Sequence, residues 1–386
     1  MRSLYLSKNK VIKNLFLISI FFYIGQGSVI PKGTWLTQIF FLIILSISTY
    51  CVFKSFAIDG KRNHFLYIWT FFLFINVIGY FLTLDLKNIF YFGQIKVILF
   101  FILVFYPFYF YTRLNLISNK DIIYFFFCMF FLSFLDFNNN YNEIISQKNN
   151  YDVNVVNNSA YYFSALIPFI FLFKRKIFGL FSLILILLFV IQGSKRGALV
   201  VALLGALIFF CYYLTSIDGK QKILKYIAST FILILVAQYL IGYFYENIYL
   251  IERLTTISDG GSGRDIIYIN LIENWMNTDS LINFIFGFGF SSTIEFSGSG
   301  HFAHNDWLEL MTNFGIIGLL SYIFIFLYIA YTVFWGKLGY EYKTTLLCIM
   351  LMWLLTTLFS MVYTSYSGVF FSSLLGFIIA TKFNKF

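Results

Sequence analysis

The polar residues that could carry chemistry gather in three short stretches of an otherwise apolar chain. The first reads Gly-Ser-Lys-Arg-Gly-Ala and spans residues 193–198. The second is Ser-Gly-Arg at 262–264, and the third begins with His-Phe-Ala-His-Asn-Asp at 301–306. Two arginines suit phosphate or diphosphate oxygens, because a planar guanidinium can donate two parallel hydrogen bonds to such an anion. An imidazole titrates near neutral pH and could accept a proton from a hydroxyl group.

Arg264 follows a glycine-rich stretch, Gly-Gly-Ser-Gly at 260–263, that leads into a predicted helix. Ser262 is predicted to cap this helix, with Asp265 completing a capping box. Backbone N–H groups at a helix N-terminus attract anions, so the stretch predicts a phosphate or diphosphate site around Ser262, Gly263 and Arg264. The alternative is a surface arginine after a flexible turn. This stretch alone does not favour the anion site over the surface arginine.

Lys195 and Arg196 stand together in a tight turn between two predicted spans. The distribution of charge places this turn on the outer side of a membrane, where adjacent basic residues are disfavoured. An anionic ligand at the outer interface would offset that disadvantage. The alternative is an ordinary interfacial pair that binds lipid headgroups.

His304 is the candidate general base, and a hydrogen-bonded structural role is its alternative. His301 lies three residues away, so a metal pair is conceivable. No cysteine or close acidic cluster beyond Asp306 and Glu309 supports a metal, and the sequence therefore predicts none. Glu309 could orient His304 or an arginine, or could simply form a hydrogen bond at the start of a helix.

The elements that must position these residues are membrane spans. The chain has 386 residues, of which 60 % are hydrophobic and 11 % charged, with a mean hydropathy of +0.81. These values lie outside the range of soluble domains, and backbone polar groups in long apolar runs are satisfied by helices. We therefore predict an all-α integral membrane protein, a single domain over 1–386, with about twelve transmembrane helices. The predicted spans are 14–30, 35–57, 64–84, 89–111, 121–137, 157–173, 176–194, 197–217, 222–244, 307–335, 343–363 and 366–382.

The basic residues predict the orientation of these spans. With the N-terminus inside, 19 of the 27 basic residues fall in inside segments and seven in outside segments. This bias follows the positive-inside rule and predicts that both termini are cytoplasmic. The charges are scattered over short loops with no basic face, which argues against nucleic acid as a partner. Lys96 lies within a span and is expected to face the interior, paired with a carboxylate such as Asp136 or in contact with an anionic lipid.

Two outer loops are long enough to contribute function. The shorter loop runs from about 136 to 157 and is rich in asparagine and tyrosine. The longer loop, 245–306, lies between spans nine and ten and contains a predicted amphipathic helix. Its predicted apolar face consists of Tyr268, Leu271, Ile272, Trp275 and Met276.

Taken in order, the polar stretches resemble the O-antigen ligase/polymerase superfamily of bacterial envelopes. The resemblance is carried by Ser-Lys-Arg-Gly-Ala (194–198), Ser-Gly-Arg (262–264), and His-Asn-x-x-Leu-Glu followed by Asn-Phe-Gly-x-x-Gly (304–318). It covers about residues 155–335, and the amino-terminal half is similar only as a run of helices. The 245–306 loop is short for this family and lacks an obvious extra helical domain, so acceptor recognition is not carried over.

The resemblance implies a glycosyltransferase of the GT-C type in the bacterial inner membrane, with its active site in the periplasm. Donor and acceptor would be undecaprenyl-diphosphate-linked oligosaccharides, with inversion at the anomeric carbon and no metal or other cofactor. Arg196 and Arg264 would hold the donor diphosphate and His304 would be the general base. Substrate-binding roles are expected for Lys195, Ser262, Gly263, His301, Asn305 and Glu309. Membrane lipids would be further partners, and a chain-length regulator protein is implied if the chain is a polymerase.

The sequence is compatible with three functions. An O-antigen polymerase is favoured over an O-antigen ligase, which would use lipid A-core as acceptor, because polymerases are the more numerous and varied group. A transporter of lipid-linked oligosaccharides would place charges near the middle of the membrane. Here the predicted spans are nearly free of charge, and the polar residues gather at one face.

Overall fold

The computed structural model of the chain describes residues 2–84, 90–149, 157–216 and 260–383, with residues 223, 226, 238, 241 and 242 in addition. Side chains at 2–5, 142–149 and 260–263 lie outside this description. Within the described residues the regular elements are all helical, apart from one isolated bridge between Gln26 and Ile30. The prediction of an all-α protein is confirmed for this part of the chain.

The first half of the chain forms a series of helices. They are α1 (Arg2–Ile24), α2 (Trp35–Asp59), α3 (His64–Leu82), α4 (Tyr91–Arg113), α5 (Asn119–Asn149), α6 (Ser159–Ala165), α7 (Lys176–Gln192) and α8 (Arg196–Thr215). A 3₁₀ helix, Ile167–Leu172, connects α6 to α7. The second half contains α9 (Gly260–Met276), α10 (Leu281–Phe286), α11 (Thr293–Phe296), α12 (Asp306–Trp335), α13 (Tyr340–Phe359) and α14 (Gly368–Thr381).

Seven helices in the described residues are long and apolar enough to cross a membrane by length and composition. They are α2, α3, α4, α5 as far as Tyr141, α8, α12 and α13. Shorter apolar helices are formed by Ser159–Leu172, Lys176–Gln192 and Gly368–Thr381, and the predicted span 222–244 lies largely outside the described residues. Phe53, Phe81 and Trp335 are about 70 % exposed (71 %, 69 % and 71 %), which suits contact with lipid. The length and apolar composition of these helices therefore indicate a multi-pass membrane protein.

Two predicted boundaries are wrong. Helix α5 continues to Asn149, so most of the predicted 136–157 loop is helical. This stretch contains no proline or glycine, and its asparagines weaken a helix only slightly. The predicted span 157–173 is instead broken into α6 and the 3₁₀ helix. Pro168 lies at the start of that second piece, where it lacks an N–H and disfavours a continuous helix.

Helix α4 is the centre of the bundle. It is buried along its length and packs against α14, α2 and α3. Gly376 of α14 lies against the carbonyl of Phe105, which lets the two backbones approach closely, as small residues do in membrane helices. Trp69 and Trp353 pack edge to face beside α4, with ring centroids 6.2 Å apart. The core thus surrounds α4 and leaves the loops at two opposite ends.

One end of the bundle, here called the ion-pair end, carries charged side chains in pairs. Arg113 Nε lies 2.5 Å from Asp59 Oδ2, Lys13 Nζ lies 3.1 Å from Asp121 Oδ1, and Lys176 lies 3.9 Å from Glu341. The opposite end, called the site end, gathers the turns around 25–34, 83–84, 157–158, 193–195 and 360–367 with the segment 260–305. The alternating direction of successive helices therefore brings the polar stretches of the sequence to the same end.

The site end is fixed to the bundle by an interlock of two glycine motifs, Gly-Phe-Gly (287–289) and Asn-Phe-Gly (313–315). Helix α12 is kinked at Gly315, which has φ 58° and ψ −148°. Just before the kink, the carbonyls of Thr312 and Asn313 accept hydrogen bonds from the N–H groups of Phe288 (2.8 Å) and Gly289 (3.1 Å). A Cβ at Gly315 would lie 2.6 Å from the carbonyl carbon of Ile285, so a side chain does not fit there.

Helix α9 lies on this segment by part of the predicted face, since Tyr268 packs against the buried cluster and Trp275 stacks on Phe284. Ile267 and Leu271 are buried against Ala303, whereas Ile272 and Met276 are 39 % and 66 % exposed. The predicted face is therefore right for Leu271 and wrong for Ile272 and Met276. Asn270 Nδ2 also donates to the carbonyl of Ser297, at 3.0 Å. These contacts connect α9 to the loop that carries the histidines.

The suggested partner of Lys96 is also wrong. Its Nζ lies 4.2 Å from the centroid of the Phe92 ring on the same helix. Asp136 instead accepts a hydrogen bond from the hydroxyl of Ser159, at 2.5 Å.

Candidate active site

The turn before α8 presents Lys195 and Arg196 at the site end. Ser194 has φ +55°, and Lys195 and Arg196 are half-buried. The Lys195 ammonium lies 6.0 Å from the centroid of the Tyr161 ring. Gly197 leaves no room for a side chain, because a Cβ would meet the Tyr161 hydroxyl and lie 3.0 Å from Phe359 Cβ. The turn is thus packed against α6 and the end of α13.

Arg264 reaches from α9 to the same place. Its Nη1 donates a 2.8 Å hydrogen bond to the carbonyl of Phe359, the last residue of α13. Carbonyls in the last turn of a helix lack partners within the helix, so this bond satisfies one of them. A guanidinium has five N–H donors, and the remaining donors of Arg264 can serve an anion. The arginine is therefore held in place at one point while it retains its capacity to bind an anion.

His304 lies in the loop immediately before α12, with a left-handed backbone at φ +53°. Two neighbours fix this loop. Asn305 caps α12, its Oδ1 accepting from the N–H groups of Trp307 (2.9 Å) and Leu308 (3.2 Å). Glu309 Oε1 accepts from the N–H of Ala303 at 2.7 Å. His304 is therefore held between two anchored residues.

The electrostatic environment of His304 is set by the other two stretches. Partial desolvation, followed by the positive charges of Arg264 and Lys195 and by the nearby His301, together lower the pKa of its imidazole to about 4. The residue nevertheless keeps solvent-exposed surface. The ring is thus neutral at pH 7, with a nitrogen lone pair free to accept a proton. The shift also shows that Arg264 and Lys195 act on the same small region as His304.

Asp306 ties this loop to the segment after α13. It is fully buried and accepts hydrogen bonds from the N–H of Val362 (Oδ1 3.0 Å, Oδ2 3.1 Å) and from the hydroxyl of Tyr322 (2.6 Å). Tyr322 in turn accepts from Trp353 Nε1, at 2.6 Å. A buried carboxylate with this number of donors is a rigid attachment point.

The structure gives several predicted site residues a positioning role. Asn305 uses its oxygen as a helix cap, and Glu309 holds the backbone of Ala303, so both support His304 without facing the surface. For Glu309 the predicted alternative of a bond at the helix start is confirmed. His301 is exposed, and its backbone N–H donates to Ser297 Oγ at 3.3 Å.

The predicted capping box at Ser262 is wrong. Helix α9 already includes Gly260 and Gly261, so Ser262 and Gly263 lie within its first turns. Their side chains, and residues 243–259 before them, fall outside the described part of the chain. The predicted glycine-rich anion loop is therefore helical where the structure describes it. Among the described residues, no group of three or more His, Cys, Asp or Glu side chains is placed to hold a metal ion.

Tyr161 and the end of α13 belong to the site, and sequence reasoning missed both. The Tyr161 ring lies under Lys195, and its hydroxyl interacts with Ser360. The carbonyl of Phe359 receives Arg264. Nothing distinguishes Tyr161 among 29 tyrosines, and a backbone carbonyl has no sequence signal.

Comparisons with known proteins give no assignment. No family model matches this chain, and no curated protein matches it. The functional argument therefore rests on the residues of the site and on their arrangement.

Proposed function

We propose that this chain is an O-antigen polymerase, a membrane glycosyltransferase that joins lipid-linked repeat units during lipopolysaccharide biosynthesis. The observation that carries the proposal is the convergence of Lys195, Arg264 and a neutral His304 at the site end of the bundle. Cationic side chains beside a neutral imidazole suit a diphosphate leaving group and a hydroxyl nucleophile. The motif resemblance supplies the identity of the substrates.

In the proposed reaction, Arg264, Arg196 and Lys195 bind the diphosphate of undecaprenyl-diphosphate-linked glycan. The acceptor is the non-reducing-end hydroxyl of a second lipid-linked repeat unit. Its oxygen attacks the anomeric carbon of the donor while an imidazole nitrogen of His304 takes the hydroxyl proton. The bond between that carbon and the phosphate oxygen breaks, and undecaprenyl diphosphate leaves with the electron pair. A direct displacement of this kind inverts the anomeric centre.

The cationic side chains replace a divalent metal in this proposal. Negative charge develops on the phosphate oxygen as the bond breaks, and donors that are already in place stabilise it without reorganisation. The bond from Arg264 Nη1 to the carbonyl of Phe359 fixes the guanidinium, whose other N–H groups are the proposed donors.

The proposal includes an arrangement in the inner membrane. Seven long apolar helices support membrane insertion, and we propose a GT-C-type bundle of twelve spans with both termini in the cytoplasm. The site end would then face the periplasm. The ion pairs at the opposite end, which involve Lys13, Arg113 and Lys176, agree with the positive-inside rule.

An O-antigen ligase would use the same donor and the same cationic site, so the acceptor distinguishes the two functions. Deleting the gene in its host and separating the lipopolysaccharide on a gel tests the proposal. A ladder that collapses to core plus one repeat unit supports the polymerase, because ligation still operates. Loss of all O-antigen from the core, with accumulation of lipid-linked polymer, would identify the ligase. An unchanged ladder would overturn both.

A further inference from the structure

A polar cavity opens at the site end, beside α6, and none of the residues that line it is an arginine. Its volume is about 260 Å³, and it is lined by Ile24, Gln26, Lys32, Leu132, Ser133, Asp136, Tyr162 and Tyr366. This is just below the range of about 300–1,000 Å³ for ordinary ligand sites. The volume therefore suits one sugar ring and not a longer oligosaccharide.

The charged groups of this cavity are placed for a ligand. Lys32 and Asp136 both line it, yet among the described residues they form no ion pair with each other. One oxygen of Asp136 accepts from Ser159, at 2.5 Å, and the other remains available to a ligand. The stem of Lys32 crosses Gly27, which has φ +92°, and a side chain at Gly27 would collide with it. The lysine is thus guided along a fixed path to the mouth of the cavity.

The neutral groups of the cavity complete a lining that matches a polyhydroxylated ring. Gln26 Nε2 donates to the Tyr366 hydroxyl at 3.4 Å, a long bond that a ligand can replace. Carboxylate, amide, ammonium and phenol together accept from and donate to hydroxyl groups. The rings of Tyr162 and Tyr366 add apolar surface for C–H groups. Lys32 and Asp136 give the lining one positive and one negative charge and no net charge, which favours a neutral sugar over an ion.

Two elements connect this cavity to the candidate active site. Tyr162 lines the cavity, and the preceding Tyr161 lies under Lys195. The segment 360–367 likewise contributes Tyr366 to the cavity and Ser360 to Tyr161. A molecule in the cavity is therefore held by the same short elements that shape the cationic site.

We propose that this cavity binds a sugar ring of the acceptor and is distinct from the site that binds the donor diphosphate. The assignment of the bound sugar to the acceptor rests on the proposed function, whereas the binding of a neutral sugar does not. The arrangement separates two substrates that carry the same lipid diphosphate. The donor is held by its phosphates at the arginines, and the acceptor is held by a sugar ring in the cavity beside α6.

The test uses the full-length protein in lipid nanodiscs and a probe without phosphate. The probe is the free oligosaccharide released by mild acid from the lipid-linked repeat unit of the host, and calorimetry measures its Kd. Asp136→Asn keeps an acceptor for Ser159 but removes the charge. Tyr366→Phe keeps the ring that packs on Tyr23 and Phe100. Asp279→Asn is the matched control, since Asp279 is exposed and does not line the cavity.

We expect the wild type to bind and each cavity variant to bind at least tenfold more weakly, with Asp279→Asn unchanged. No binding by the wild type would overturn the proposal. Equal Kd values for the wild type, Asp136→Asn and Tyr366→Phe would also overturn it. The expected pattern together with an unchanged lipopolysaccharide ladder would overturn the acceptor assignment and the proposed function, while the sugar site itself would stand.

Discussion

His304 owes its chemical character to its neighbours. Partial desolvation lowers the pKa of its imidazole most, and the positive charges of Arg264 and Lys195, which are far from it in sequence, lower it in the same direction. A pKa of about 4 makes the free ring a weak base. A bound diphosphate would oppose those charges and raise the pKa, so the base would gain strength when the donor is in place. Donor binding and base strength are coupled in this arrangement.

Replacing His304 by alanine is expected to reduce glycosyl transfer by about 10²–10⁴-fold, because the proposed acceptor of the hydroxyl proton is removed. Transfer is measured with purified lipid-linked repeat units, and correct insertion is checked by gel filtration in detergent. His64→Ala is the control, since His64 begins α3 at the ion-pair end and is exposed. Retained activity in His304→Ala would refute the assignment of the base.

The coupling predicts a measurable shift in the pKa of His304. The chain has three histidines, so His64→Ala and His301→Ala leave a single imidazole for NMR titration. We expect a pKa well below 6.5 in the free protein, and therefore a neutral ring at pH 6. Inorganic pyrophosphate should raise the pKa, and so should Arg264→Gln. A pKa that neither change raises would show that the cations do not act on His304.

Arg264→Lys is expected to lower transfer about 100-fold, because lysine keeps the charge but loses the planar fork. It would also lose the geometry that reaches the carbonyl of Phe359. Steady-state rates with varied donor measure the effect, and Arg62→Lys at the ion-pair end is the control, since Arg62 is exposed. Near-normal turnover in Arg264→Lys would contradict bidentate binding of the diphosphate.

The sequence points to candidate reactive side chains but not to the backbone bonds that their neighbours form. Arginine and histidine carry their chemistry in the residue type, so Arg264 and His304 were candidates from the sequence. Asn305 and Glu309 were expected to bind substrate, and the structure adds that Asn305 Oδ1 and Glu309 Oε1 accept from backbone N–H groups. Such bonds depend on where a helix begins and how a loop folds, which residue type does not determine.

At the scale of elements, the interlock of α12 with the 287–289 segment is the decisive feature. The sequence showed both glycine motifs but gave no indication that they meet, since the contact is made by backbone atoms 25 or so residues apart. Apolar length predicted the seven long helices that the described residues contain, because it is a strong signal. It failed at α5 and α6, where the polar content of 138–149 and the position of Pro168 altered the boundaries.

Gly315→Ala is expected to lower the thermal midpoint by about 5 °C or more. A side chain at φ 58° and ψ −148° costs about 1–3 kcal/mol, and the Cβ would also collide with Ile285. Fluorescence-detected gel filtration after heating measures the midpoint. Gly93→Ala is the control, because nothing lies within 4 Å of a Cβ there. Equal midpoints for the two variants would show that the interlock does not stabilise the bundle.

At the scale of the whole molecule, the two ends of the bundle differ in chemistry. One end is built from ion pairs, and the other gathers His301 and His304, an arginine held by a carbonyl, and a polar cavity. The multi-pass character was predictable from composition alone. Counting spans was enough to predict that the three polar stretches lie at the same end of the bundle. The contacts between these stretches could be identified only from the three-dimensional structure.

The orientation of these ends is tested by cysteine labelling in intact cells. The native cysteines Cys51, Cys128, Cys211 and Cys348 are first replaced by serine or alanine. A single cysteine at His301 should react with a membrane-impermeant maleimide, because that loop is exposed and is expected in the periplasm. A cysteine at the exposed Arg62 should react only after permeabilisation. The reverse pattern would refute the proposed topology.

The interlock between residues 287–289 and α12 also has a consequence for biosynthesis. The ribosome releases the Gly-Phe-Gly segment before Thr312 and Asn313, so this segment must reach its side of the membrane ahead of the helix that it joins. A continuous helix would supply donors to those two carbonyls from its next turn, but here Phe288 and Gly289 supply them. In the proposed orientation, helix α12 completes its backbone bonding only after the preceding segment has been translocated. Translocation of the loop and insertion of the helix would then be a single, ordered step of assembly.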